Sequence, residues 1–274
     1  MTTEPQPRLT VERQRRALGL IVALAAVGYL LYALWHDLPA TAAELASFRW
    51  PLYVPILALT LVNYGLRFAK WHGLLLRLGV KVPVLANALA FTAGLGMVIS
   101  PGKAGELIKP WLVREMTDTP MTRTVPALVV ERLTDGIAVV LLAALGVSTF
   151  LPSSAPLIAT TLAATAAGVA VASSERLAAL ILGGLGRLPL IYKVVPRLTE
   201  GLSALRTCLS PAALVATLLA SLVAWGAECV GYWLVFLGLD SAASLEVSTF
   251  LYAFATVFGA PSPGGMGIDR KSVV

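Results

Sequence analysis

The stretch PAALVATLLASLVAWGAECVGYWLVFL, from Pro211 to Leu237, contains a single charged side chain, Glu228. A helix needs about 20 apolar residues to cross the hydrocarbon of a bilayer, so this stretch is long enough to span it. The whole chain of 274 residues has the same character: 57% of it is hydrophobic and 13% is charged. Soluble domains carry about 25% charged residues. The sequence therefore predicts an integral, multi-pass membrane protein.

Other apolar blocks precede and follow this one, at residues 18–35, 51–66, 82–99, 125–151, 157–172 and 247–260. They predict an all-α fold with about six spanning helices, supplemented by re-entrant, broken helices. We expect one membrane-embedded domain over residues 18–268, preceded by a basic cytoplasmic tail at 1–17. A cleaved signal peptide is less consistent with the first block, which is longer than the usual apolar region of about 7–15 residues.

Cationic loops set the expected topology, because Lys and Arg favour the cytoplasmic side. A basic loop predicted at 67–81 and the polar stretch at 103–123 both belong inside, so block 82–99 is expected to enter the membrane and return. The N-terminus is then cytoplasmic, in a plasma (inner) membrane. A basic connector at 173–210 is expected to lie on the same side.

Two Pro-Gly segments close apolar blocks in different halves of the chain, at 101–105 and 261–267. Ordinary interfacial turns would explain one of them. Two such breaks in corresponding positions indicate a transport site at an inverted-repeat interface. The residues expected to break the helices are Pro101, Gly102, Pro263, Gly264, Gly265 and Gly267.

Three ionisable side chains, Glu131, Arg132 and Asp135, interrupt an otherwise apolar block. Each costs about 2.5–3.5 kcal/mol at the centre of a spanning helix. Glu131 and Asp135 share a helix face, so a proton or a cation must lie between them. Arg132 can pair with Asp135, and Lys103 and Lys109 are further candidate partners. A purely architectural ion pair is the alternative.

The Pro-Gly segment at 101–105 leads into a predicted short helix. Its free amides up to Gly105, with Lys103 beside them, predict a phosphate cradle. Glu106 suits that position, although capping of the helix would also explain it. The lone Glu228 is expected to be protonated or paired across helices, and its default interpretation is functional.

The motifs PGKAGE at 101–106, ERLTD at 131–135 and PGGMG at 263–267 together resemble those of flippase-like membrane proteins. These are related to the transmembrane domain of lysylphosphatidylglycerol synthase, and LRFAKW at 66–71 resembles a further element of that family. The resemblance implies a polytopic inner-membrane protein that moves a lipid or lipid-linked head group between leaflets. The family tends to have Arg where Lys70 and Lys109 stand. No soluble lysyl-transferring domain is found, so synthase activity is not implied.

The predicted function is therefore lipid flippase-like transport, with membrane lipids carrying an anionic or polyprenyl-linked head group as partners. The predicted site residues are Lys103, Gly105, Glu106, Lys109, Glu131, Arg132, Asp135 and Glu228. The alternatives are a membrane-embedded transferase acting on polyprenyl-linked sugar and a non-transporting subunit of a separately encoded transferase. No catalytic residue, metal or cofactor is expected. Nucleic-acid binding is not expected either, because no basic, aromatic-interleaved face exists.

The last six residues, DRKSVV at 269–274, are those encoded, with a following stop, by a common sequencing adapter. We expect this segment to be an artefact and the natural chain to continue beyond Ile268.

Overall fold

The computed structural model describes residues 42–97, 105–148 and 195–259, together with single residues at 28, 156, 159, 160 and 163. Apart from those single residues, the apolar blocks at 18–35 and 157–172 lie outside the described residues, as do the break at 101–104 and the whole segment 261–274. The expectations for the second Pro-Gly break and for the adapter-like tail fall there.

The chain forms two compact units, Met1–Arg49 and Trp50–Val274. In the first unit, residues 42–47 are helical. There the Ser47 hydroxyl donates a hydrogen bond to the carbonyl of Glu44 at 2.9 Å.

In the second unit, every described element is helical, which confirms the all-α prediction for this part of the chain. A 3₁₀ turn at Trp50–Leu52 precedes the first of the seven helices that the described residues form. They are α1 Tyr53–Arg77, α2 Val84–Gly96, α3 Ile108–Thr117, α4 Met121–Ser148, α5 Val195–Cys208, α6 Pro211–Gly238 and α7 Leu245–Gly259.

Local sequence explains several helix ends. Helix α6 begins with Pro211, whose fixed φ suits the first helical turn. Helix α1 ends before Gly79, which adopts a left-handed φ of +72°. A glycine tolerates this conformation after a helix. Helix α3 ends just before Asp118, which is also left-handed at φ 55° and lies shortly before Pro120.

The predicted basic loop at 67–81 is wrong for most of its length, because α1 continues without interruption to Arg77. Arg67 and Lys70 are buried on one face of this helix, where acidic partners from α4 neutralise them. Hydropathy alone predicted that the apolar block ends at residue 66. This was too early, because Arg67 and Lys70 resemble loop residues as long as their acidic partners are unknown. Only Arg77 and Lys81 remain exposed as indicators of the cytoplasmic side.

The bounds of the other predicted apolar blocks that the structure describes agree better with the observed helices. Helix α6 ends one residue beyond its predicted block, and α4 begins four residues before its block. Counted from Met121, Glu131 lies about 15 Å along α4, deeper than a start at Val125 gives. The basic connector contains a helix, α5, that the sequence analysis did not predict.

Two described helical stretches, Trp50–Arg77 and Pro211–Gly238, are long and apolar enough to cross a membrane. Helix α2, in contrast, has only 13 residues. A helix of that length covers about 20 Å, less than the roughly 30 Å of bilayer hydrocarbon. This length agrees with a segment that does not cross, while the re-entrant path itself stays a prediction. The total number of spans also stays a prediction.

Helix α4 is the central element, because it packs against α1, α3, α5, α6 and α7. The buried core around it includes Trp71, Leu74, Phe91 and Val113. Large apolar side chains such as Val54 and Leu61 on α1 are exposed, as expected for a surface that faces lipid. The central position of α4 places its charged residues in the middle of the helical unit.

Candidate functional site

Seven ionisable side chains gather around α4 and are here named the charge cluster. They are Arg67, Lys70, Glu106, Lys109, Glu131, Arg132 and Asp135. They come from α1, α4, the start of α3 and the turn preceding α3. All except Arg132 are buried.

Glu131 lies at the centre of the cluster and is fully buried. The Lys109 ammonium donates to its Oε2 at 2.7 Å, and the Arg132 guanidinium pairs with its Oε1. A carboxylate in an apolar environment persists in its charged form only when such partners compensate its lost hydration. Glu131 therefore depends on one cation from α3 and one from its own helix.

Asp135 lies one turn further along α4 and has three cationic neighbours. Lys70 pairs with Oδ1, while Arg132 Nη2 lies 3.1 Å and Arg67 Nε 3.8 Å from Oδ2. The Ser221 hydroxyl of α6 donates to Oδ1 at 2.9 Å. Asp135 thus joins α1, α4 and α6.

The Lys70 ammonium is enclosed by oxygen atoms from two helices. Besides Asp135, it reaches the Glu131 carbonyl at 3.2 Å, the Thr134 hydroxyl at 3.3 Å and the Ser221 hydroxyl at 2.7 Å. These contacts hold the ammonium in one place. Lys70 is therefore a buried helix residue and not part of an exposed basic loop.

Arg132 bridges all three acidic side chains of the cluster. Its Nη1 lies 3.2 Å from Glu106 Oε1, and its Nη2 contacts both Glu131 and Asp135. Its side chain is 26% exposed, whereas those of the three acids are 0–6% exposed. Arg132 is therefore the most accessible side chain of the cluster, and the three acidic side chains are enclosed.

Lys109 reaches the cluster through a slot between helices. Its ammonium lies 4.8 Å from the Trp71 ring centroid and 5.2 Å from that of Phe91. Both distances are within cation–π range. A Cβ atom at Gly94 would lie 2.5 Å from Lys109 Cγ. Only a glycine on α2 leaves room for the lysine stem at this point.

A chain of side-chain hydrogen bonds holds the Trp71 wall of that slot. The Trp71 indole donates to Asn87 Oδ1 at 2.9 Å, and the Asn87 amide lies 2.7 Å from His72 Nδ1. Because an indole only donates, Asn87 must present its oxygen to Trp71 and its NH₂ to His72. The imidazole then accepts at Nδ1, which fixes its tautomer.

Beyond Asp135, the polar residues continue toward α6 and α7. The Arg67 guanidinium carbon lies 5.5 Å from the Trp225 ring centroid. Half-buried Glu228 on α6 lies close enough to Arg67 of α1 and Tyr252 of α7 to interact with them electrostatically. Glu228 therefore lies near the charge cluster without joining it, and its protonated or paired state stays a prediction.

Four cationic and three acidic side chains leave the charge cluster with a formal charge of +1. An excess positive charge in a low-dielectric environment is costly without a counter-charge. Glu228, when ionised, can balance it through Arg67. An anionic ligand at the exposed edge of Arg132 can balance it as well.

The structure brings together Glu106, Lys109, Glu131, Arg132 and Asp135 from the predicted site. Cations lie between Glu131 and Asp135, one of the two arrangements that their spacing allowed. Gly105 is half-buried in the turn before α3. Lys103 and the helix-break residues at 101, 102, 263, 264, 265 and 267 lie outside the described residues.

Arg67 and Lys70 were not predicted as site residues from the sequence, and neither were the buried Asn63 and Ser221. The sequence did contain a pattern that indicates three of these four residues, namely Asn63, Arg67 and Lys70. Asn63, Arg67, Lys70 and Leu74 recur at three- and four-residue spacing, which marks one helix face. Ser221 had no comparable signal, because a lone Ser in an apolar helix commonly bonds to its own backbone.

Comparison with known proteins supports the resemblance drawn from the short motifs. The family model described as "Lysylphosphatidylglycerol synthase TM region" matches residues 16–269. No curated protein and no solved structure matches the chain. With this match over nearly its full length, the chain belongs to the family of the lysylphosphatidylglycerol synthase TM region and is a membrane protein of a lipid-related pathway.

Proposed function

We propose that the chain is a flippase-like transporter that moves an anionic or lipid-linked head group between the leaflets of the inner membrane. The observation that carries the proposal is the charge cluster, which is buried among helices with apolar outer faces. Ionisable groups at membrane depth are costly and commonly mark a pathway for a polar substrate. Membership of a lipid-related family supports a lipid as that substrate.

The charge balance supports an anionic head group. The cluster carries one more cation than anions, and Arg132 is its most accessible side chain. A guanidinium presents a planar fork of N–H donors that matches the oxygens of a phosphate. We infer that an incoming phosphate competes first with Glu106, whose Oε1 lies 3.2 Å from Arg132 Nη1.

The remaining residues have supporting roles in this proposal. Lys109 and Lys70 hold Glu131 and Asp135 in place, so that Arg132 can exchange one acidic partner for the head group. The loop amides up to Gly105, with Lys103, are proposed to contact the same phosphate. Glu228 and Arg67 extend the polar track toward the outer half of the membrane.

The test is head-group movement in liposomes that contain the purified 274-residue chain. Vesicles of phosphatidylcholine carry a trace of fluorescent phosphatidylglycerol, and dithionite destroys only the label in the outer leaflet. We expect the protein to expose inner-leaflet label to dithionite, whereas protein-free vesicles keep it protected. Protected label in both preparations would contradict transport.

The same vesicles separate the transferase and partner-subunit alternatives. Polyprenyl phosphate and a radiolabelled sugar nucleotide are added, and lipid-extractable radioactivity is measured. Radioactive lipid formed without label movement would support a transferase. Neither signal, from a chain that is folded by circular dichroism, would support a non-transporting subunit.

A further inference from the structure

Arg67, a buried member of the charge cluster, and half-buried Trp225 form a pair on facing helices, α1 and α6. The Arg67 side chain is 9% exposed, and its Nε lies 3.8 Å from Asp135 Oδ2. This separation exceeds ordinary hydrogen-bond distance. The Arg67 guanidinium carbon lies 5.5 Å from the Trp225 ring centroid. The pair is thus close to the acidic residues without being bonded to them.

Both residues present a donor that is unused within the described part of the chain. Arg67 Nε and Trp225 Nε1 are buried and have no hydrogen-bond partner there. Buried donors are nearly always paired in folded proteins, and an unpaired donor within a membrane has no water to replace the missing acceptor. Two such donors on neighbouring side chains indicate an acceptor other than the described residues of the chain.

The helices that carry this pair are held together at the same level. Asn63, one turn before Arg67 on α1, donates to the carbonyl of Ala224 at 2.9 Å. Ala224 directly precedes Trp225 on α6. This buried bond fixes the spacing between the two donors, so their arrangement does not depend on flexible side chains alone.

The donors define the chemistry of the missing partner. An indole and a guanidinium can donate but cannot accept, and the guanidinium always carries a positive charge. The partner is therefore an anion with several acceptor oxygens, such as a phosphate-type oxyanion. The negative groups that face Arg67 are Asp135 and Glu228, and the ligand would have to compete with both.

We propose that Arg67 and Trp225 form a second anion subsite, which takes the phosphate-type oxyanion of a head group next to its Arg132 position. The proposal rests on the proposed transport function and adds a step to it. Arg67 lies three residues from Lys70, about 4.5 Å along α1 toward its N-terminal end. A head group would pass from the level of Lys70 in the cluster to this subsite over roughly one helical turn.

The test uses a substitution that removes one hydrogen-bond donor and keeps an aromatic ring. Trp225→Phe preserves an aromatic face for Arg67 but deletes the indole N–H. Trp233→Phe, on the same helix, is the matched control. We expect Trp225→Phe to slow phosphatidylglycerol movement by about tenfold or more, the value of one hydrogen bond to a charged group. Trp233→Phe should move the lipid at the wild-type rate.

A binding measurement keeps this inference separate from transport. Purified protein in detergent is titrated calorimetrically with dioctanoyl phosphatidylglycerol and, separately, with inorganic phosphate. Weaker binding of both ligands to Trp225→Phe supports a general phosphate subsite, and weaker binding of the lipid alone supports one specific for a phosphodiester.

Unchanged lipid binding and movement in Trp225→Phe, with Arg67→Gln also unchanged, would overturn the subsite and leave the transport proposal intact. If the wild-type chain moves no lipid, the transport proposal fails, and the calorimetric comparison still decides whether the subsite exists.

Discussion

The contact between Lys70 and Asp135 allows a quantitative prediction by a double-mutant cycle. Asp135→Asn preserves the size of the side chain and one acceptor oxygen but removes its charge. Lys70 then loses its acidic partner, and the formal charge of the cluster rises from +1 to +2. Breaking a buried ion pair from one side typically costs about 3–5 kcal/mol, and we expect a loss in that range.

Lys70→Met removes the other partner and should cost less. Asp135 keeps Arg132 at 3.1 Å and the Ser221 hydroxyl at 2.9 Å. We expect a loss of about 2 kcal/mol, the value of a hydrogen bond to a charged group. In the double variant, the formal charge returns to +1. Its loss should therefore fall short of the sum of the single losses by about 1–3 kcal/mol.

The assay is unfolding in dodecyl maltoside micelles with increasing dodecyl sulfate, followed by circular dichroism. Single losses that add within about 0.5 kcal/mol would refute the inferred coupling. The liposome assay on the same proteins gives a second readout. A double variant that moves lipid at the wild-type rate would show that the pair serves only helix packing.

Two further predictions concern the lysine slot and the topology. Gly94→Ala should displace Lys109 and lower stability by about 1–3 kcal/mol, as overpacking does. Gly96→Ala, in open space on the same helix, should be tolerated, and equal losses in micellar unfolding would contradict the slot. Cysteines at Thr119 and Arg77 should react with an impermeant thiol reagent only from the cytoplasmic side, and the wild type gives the background because both its described cysteines are buried. Labelling at position 119 from outside would show that residues 82–99 cross the membrane completely.

Helix bounds that depend only on the length of an apolar block could mostly be predicted from the sequence. Pro211–Leu237 has no competing feature, and α6 ends one residue beyond it. The predicted end of the preceding block at Leu66 was wrong, because the helix continues with charged residues on a buried face. Arg67 and Lys70 look like loop residues until their partner Asp135, distant in the sequence, is placed beside them.

The candidate site was predictable where its partners lie close in sequence. Arg132 and Asp135 are three residues apart, so helical spacing alone places them together. The roles of Trp225 and Ser221 could not be predicted, because they depend on how α6 packs against α1 and α4. A single sequence does not contain that information for two common residue types in an apolar helix.

The most direct test of the central claim is whether Arg132 distinguishes head groups by charge. Movement of fluorescent phosphatidylglycerol and of a fluorescent diacylglycerol with the same chains is measured for the wild type, Arg132→Gln and Arg123→Gln. Arg123 is the matched control, because it lies on the same helix and its guanidinium binds the Leu78 carbonyl, at 2.6 and 3.0 Å, away from the cluster. We predict that Arg132→Gln slows the anionic lipid by more than about tenfold, the value of a hydrogen bond to a charged group, while Arg123→Gln does not. Equal rates for the anionic lipid in all three proteins would contradict it.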